Sequence, residues 1–380
     1  MFFPSRFAKE RERDTTSLPA PVSGRRRNGA QNGERFNMTV WGKTGMRGSR
    51  RLRLRGGASA LAVAFSLAAL EAAAAKGTIT TFDVPNAVVT NADSIGNDGS
   101  VTGWWFGEVG PDQGFVRASD GTFTIFNPRG SHSTLPASIN GKGVITGYYY
   151  DAHTHLRGFV RSAAGRMTRI NVPGATETEP QAVNDAGTIT GYWQDANYAY
   201  HGFVRSADGT ITAFDPTGST QTMPYAINAD GDITGFYEDS SGTGHGFLRT
   251  AGGTITSFDV SGTTQTYPYG INANDAIAGF YLNGGRYSGF VRASDGTVTT
   301  FDVTGSTGTM PYAINRKGEI TGFWDTGTKF RGFLRSAKGK ITSFNASDGK
   351  NTEAYSINDS GVITGYYGGS SRSHGFLRTP

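Results

Sequence analysis

From residue 77 onward the chain repeats itself, and the repeat period restricts the fold more than any other feature of the sequence. The dipeptide Gly-Phe recurs with its glycine at 114, 158, 202, 246, 289, 332 and 375, at spacings of 44, 44, 44, 43, 43 and 43 residues. Each copy runs on through Val or Leu to an arginine, giving Arg117, Arg161, Arg205, Arg249, Arg292, Arg335 and Arg378. A second marker, Gly-Thr-Ile-Thr-x-Phe-Asp in its fullest form, and a third, Ile-Asn-x-x-Gly-x-Ile-Thr-Gly in its cleanest copy at 227–235, also recur seven times with substitutions.

Within one unit the residues divide into four short strands. In the fourth unit these are 225–228, 232–237, 246–249 and 254–258, with Ala229-Asp230-Gly231 as the tight turn of the first hairpin. Four strands with short connections in one repeat is the arithmetic of a β-propeller blade. The array begins with a fourth strand, 78–82, and stops after a third, 375–378. The expected fold is therefore all-β: a seven-bladed β-propeller with four antiparallel strands per blade. Its ring closes when the N-terminal outer strand pairs with the last three strands, which also hides an exposed sheet edge.

The charge separates the chain into two parts. Residues 1–76 hold 15 Lys+Arg against 5 Asp+Glu, and residues 77–380 hold 21 against 26. Residues 1–45 carry no apolar periodicity and read as a disordered segment or a start assigned too far upstream. Residues 46–75 read as a signal peptide, with Arg47, Arg50, Arg51, Arg53 and Arg55 ahead of an apolar run at 58–70 and small residues at 72–75. That run is shorter than the roughly 20 residues a membrane span needs. The expected product is secreted or periplasmic, without a membrane span and monomeric. Its net acidity argues against a nucleic-acid partner.

Export together with Ile-Asn-x-x-Gly-x-Ile-Thr-Gly and His-Gly-Phe-Leu-Arg resembles the bacterial extracellular HAF repeats. Here the central residue is Gly, and the leading His is kept only at His201, His245 and His374. Residues 253–259 and 268–277 are also similar to seven-bladed antibiotic-lyase propellers, in positions that build blades. The resemblance implies an exported repeat protein and carries no catalytic residues.

Function must come from polar positions without a packing duty. The second aromatic after Ile-Thr-Gly is always Trp or Tyr: Trp105, Tyr149, Trp193, Tyr237, Tyr281, Trp324 and Tyr367. An apolar body with a polar tip suits either packing between blades or a platform that stacks on sugar rings. Nearby loops add Phe106, Tyr150, Tyr198, Tyr200, Tyr287 and Phe330. Symmetry breaks in the second unit, where Asp151, His153 and His155 alternate along one loop and His132 precedes them, a set that could hold a borderline metal. Asn228–Asp232 reads as a hairpin turn rather than a calcium loop, because the copies at Lys142 and Lys317 carry cations. No nucleophile elbow, phosphate loop or zinc-protease motif is present, so neither cofactor nor catalytic residue is expected. The expected function is a non-catalytic binding module for a glycan or other polymer. The alternatives are an exported lyase or hydrolase using the second-unit loops, and a protein-interaction scaffold.

Overall fold

The protein was analysed as a computed structural model that describes residues 77–369 and 371–380. The segment 1–45 and the signal peptide expected at 46–75 lie outside the described residues. Those residues form 28 strands and no helix. Five four-stranded antiparallel sheets stand alone. A sixth sheet of eight strands combines the first unit with the last, joined by a single parallel bridge between Val89 and Ser373.

The fourth unit illustrates how the repeat folds. Its strands are Ser219–Ile227, Ile233–Asp239, Gly244–Arg249 and Ile255–Phe258. The Asn228 side chain builds the first turn: its Oδ1 accepts the amides of Asp230 and Asp232, while Gly231 takes a φ of 93°. The first strand begins six residues before the expected start at Tyr225. Pro224 lies inside it, paired with Gly235, and a β-bulge follows at Tyr225. Proline is tolerated because this strand pairs on one side only, so no ladder partner needs the missing N–H. Gly235 is required by close approach: a Cβ there would stand 2.2 Å from the Met223 carbonyl oxygen. The glycine of Gly-Phe makes room for the outermost strand, since a Cβ on Gly246 would stand 2.8 Å from the Phe258 ring.

Neighbouring units adhere through three repeated devices. Apolar clusters are built on the fully buried Phe of Gly-Phe, such as Phe115, Phe247 and Phe333. The arginine that ends the third strand lies over the fourth-strand Phe of the preceding unit, Arg249 over Phe214 at 4.9 Å and Arg335 over Phe301 at 4.8 Å. The turn asparagines form a ladder: Asn140 Nδ2 donates to the Asn184 carbonyl, Asn184 to Asn228, Asn228 to Asn272, Asn272 to Asn315 and Asn315 to Asn358.

These devices recur between the last unit and the first. Asn358 Nδ2 donates to the Gly96 carbonyl at 3.3 Å. Thr78–Phe82 pairs antiparallel with the last strand, from Thr78 opposite Thr379 to Phe82 opposite Gly375. Arg117 then lies over Phe82 at 5.0 Å.

Candidate functional site

The seven Trp and Tyr residues singled out above are placed in the inter-unit clusters. Trp105, Tyr149, Trp193, Tyr237, Tyr281, Trp324 and Tyr367 each pack on a separate apolar cluster. Trp193, Tyr237 and Tyr367 also stack on His201, His245 and His374 at centroid distances of 4.7, 5.0 and 5.1 Å. The indole nitrogens of Trp105, Trp193 and Trp324 are buried without a hydrogen-bond partner. Tyr149 and Tyr237 are buried in these clusters, and Trp105, Trp193, Tyr281, Trp324 and Tyr367 are half-buried.

The second-unit set does not assemble as ligands. Asp151 Oδ1 accepts the amides of His153 and His155, and its Oδ2 accepts from Arg157 Nε at 2.9 Å. Although burial works to raise the Asp151 carboxyl, the Arg157 side chain and the two amides bring it down to about 2. A guanidinium in that position competes with a metal for the carboxylate. The His132 amide donates to the Tyr150 carbonyl. Among the described residues no group of three or more His, Asp and Glu is arranged to hold a metal ion.

The leading His of the third strand pairs with the Asp that ends the fourth. His201 Nδ1 stands 2.8 Å from Asp215, His245 Nδ1 3.0 Å from Asp259, and His374 Nδ1 2.8 Å from Asp83. Burial acts to lower the His245 pKa, but hydrogen bonds with Asp259 and Asp239 and their charges outweigh it and raise the imidazole. A raised folded value means that this contribution is fully present below the unfolded value of about 6.5 and is lost as pH rises through the folded one. The gap in melting temperature between the protein and its His245→Asn variant should therefore be widest in mildly acidic buffer and close above neutrality. A gap that widens with rising pH would contradict the assignment.

A different set of aromatic residues converges on the inner strands. Every first strand carries a β-bulge at one position, occupied in order by Asp93, Ala137, Gln181, Tyr225, Tyr269, Tyr312 and Tyr355. The four tyrosines touch in series, with centroids 4.7, 4.9 and 5.1 Å apart. Each also lies against the first aromatic after Ile-Thr-Gly in its own unit: Phe236, Phe280, Phe323 and Tyr366. Three of the loop aromatics extend the cluster edge-on, Tyr200 against Tyr192, Tyr287 against Phe280 and Phe330 against Phe323. By contrast Tyr198 projects outward, 76% exposed. The bulge tyrosines are half-buried.

Acidic groups border this aromatic wall. Glu353 Oε2 accepts from the hydroxyls of Tyr355 at 2.8 Å and Tyr366 at 3.1 Å, and Glu179 Oε2 accepts from Tyr192 at 3.0 Å. Burial raises Glu353, working against those two hydroxyls, and burial raises Asp93 well above the usual carboxylate range. Burial followed by the Glu353 charge does the same to Tyr355 and Tyr366, while Tyr200 and Tyr267 are pushed up to about 12. The hydroxyls therefore remain proton donors at any physiological pH. This cluster was missed in the sequence, although Pro-Tyr at 224–225, 268–269 and 311–312 carried its signal.

No protein-family model and no curated protein sequence matches the chain. Solved structures do. A streptogramin B lyase superposes with a TM-score of 0.55 at 15% identity, covering 80% of this chain and 99% of that one. A catalytically inactive virginiamycin B lyase from Staphylococcus aureus, solved with quinupristin, gives 0.54 with the same identity and coverage. The β-propeller domain of the Trilobed protease from Pyrococcus furiosus gives 0.58 at 8% identity, covering 77% of this chain and 95% of that domain. At such identities the likeness is one of fold. The described residues form an all-β fold of four-stranded units with a propeller-like architecture.

Proposed function

We propose that residues 77–380 form a closed seven-bladed β-propeller that is exported and binds a glycan or other environmental polymer without catalysis. Closure is supported by the pairing of Thr78–Phe82 with Arg372–Thr379 and by the asparagine ladder that continues from Asn358 to Gly96. Kinship with the extracellular HAF repeats is part of the same reading.

The observation that carries the binding role is the row of bulge tyrosines, Tyr225, Tyr269, Tyr312 and Tyr355. The same structural position holds Ala137 and Gln181 in other units, so the fold itself does not require tyrosine there. Half-buried aromatic rings bordered by hydroxyl donors and carboxylates suit a ligand that offers ring faces and hydroxyls together. The lyase neighbours raise an enzymatic reading, but the second-unit loop on which it would rest commits Asp151 to Arg157 and to its own turn.

The purified chain on a glycan array should retain a defined family of oligosaccharides, and Tyr312→Ala should lose them. A blank array together with a stoichiometric protein partner captured from the native secretome would replace this reading with that of an interaction scaffold.

A further inference from the structure

We infer that the tyrosine cluster recognises a cationic alkylammonium group, so that the bound polymer carries such substituents. This rests on the cluster being the binding site and specifies what it selects.

Two independent features point to a cation. The first is the aromatic wall itself. The half-buried rings of Tyr225, Tyr269, Tyr312 and Tyr355 meet stacked, tilted and edge-to-face in turn, and tyrosine rings hold ammonium groups through cation–π attraction. The second is an imbalance of charge. Asp93 lies among protein atoms with only partial exposure, makes no hydrogen bond among the described residues, and interacts electrostatically with Tyr148 and Tyr366. Glu353 is hydrogen-bonded by Tyr355 and Tyr366 through one oxygen, and its Oε1 takes no hydrogen bond among the described residues. Among the described residues neither carboxyl forms a salt bridge.

A buried carboxylate without a counter-charge is costly, and its potential is focused by low-dielectric walls. A neutral hydroxyl arriving there only exchanges one hydrogen bond for another with water. An ammonium group gains attraction from the carboxylates and the rings at once.

The test compares choline with its uncharged isostere, in which carbon replaces nitrogen, by calorimetric titration of the purified chain at about pH 8, which favours the ionised form of both carboxyls. Choline should bind at least about tenfold more tightly than the isostere. In Asp93→Asn combined with Glu353→Gln, the preference should fall below about threefold while weak binding of the isostere persists. Equal binding of the two probes, binding of neither, or a preference undiminished in the double variant would overturn the inference. The probe comparison in the unsubstituted protein decides the matter even if that variant does not fold. An uncharged oligosaccharide that binds at the tyrosines without competition from choline would overturn this inference and leave polymer binding standing. Choline binding with a blank glycan array would leave the cation selectivity standing and remove the glycan reading.

Discussion

Deleting residues 77–84 is expected to melt all seven units together, not the last unit alone. The deleted segment carries Phe82, whose ring fills the space beside Gly375 and packs against Phe115 at 6.5 Å and Phe123 at 6.1 Å. It also carries Asp83, the partner of His374, and the five register pairs with the last strand. Losing a buried Phe alone costs about 3–5 kcal/mol. The lost backbone hydrogen bonds add about 1 kcal/mol each. Each unit supports the next through a ladder asparagine, an Arg-on-Phe contact or both, so a loss at the junction is transmitted along the whole array. Differential scanning calorimetry should show one transition shifted strongly downward. An unchanged transition, or one that splits into a small early step and an unaltered late one, would sink the closure model.

Much of the architecture was legible in the sequence because the repeat states it seven times. Gly-Phe marks where the outermost strand lies over a glycine, and Asn-x-x-Gly marks a hairpin whose asparagine serves both its own turn and the neighbouring unit. The first strand was harder to read. It was expected from Tyr225, yet Pro224 is tolerated on a strand paired on one side only, and the strand runs back to Ser219. The bulge at Tyr225 then shifts the alternation of side chains, so counting by twos from Ile227 does not reveal which way the tyrosine faces.

The candidate site was hidden for a related reason. Comparing the copies draws attention to positions shared by all seven, and Trp105 with its counterparts is such a set, engaged in packing between units. The tyrosine cluster occupies four of seven equivalent bulges, and its members are brought together across three whole repeats. Only the folded arrangement places Glu353 beside Tyr366 and sets Asp93 near Tyr148. The histidines of the second-unit loop formed a conspicuous pattern, but Arg157 lies two residues further on and takes the carboxylate.

The central claim is that ligands meet the bulge tyrosines and not the packed aromatic set. Two tyrosines of the fifth unit separate these directly. Tyr269 lies at the bulge, 4.7 Å from Tyr225 and 4.9 Å from Tyr312. Tyr281 packs on the cluster of Val260, Ile271, Ile277 and Phe290. The affinity of the best-bound oligosaccharide from the array should be measured for Tyr269→Ala and Tyr281→Ala, alongside their melting curves. Removing a central aromatic anchor costs roughly 2 kcal/mol or more of binding, so Tyr269→Ala should weaken the complex about 30-fold or further. Tyr281→Ala should instead lose about 2–4 kcal/mol of stability and bind within about twofold of the parent. Undiminished binding by folded Tyr269→Ala, with affinity lost in folded Tyr281→Ala, would contradict the account.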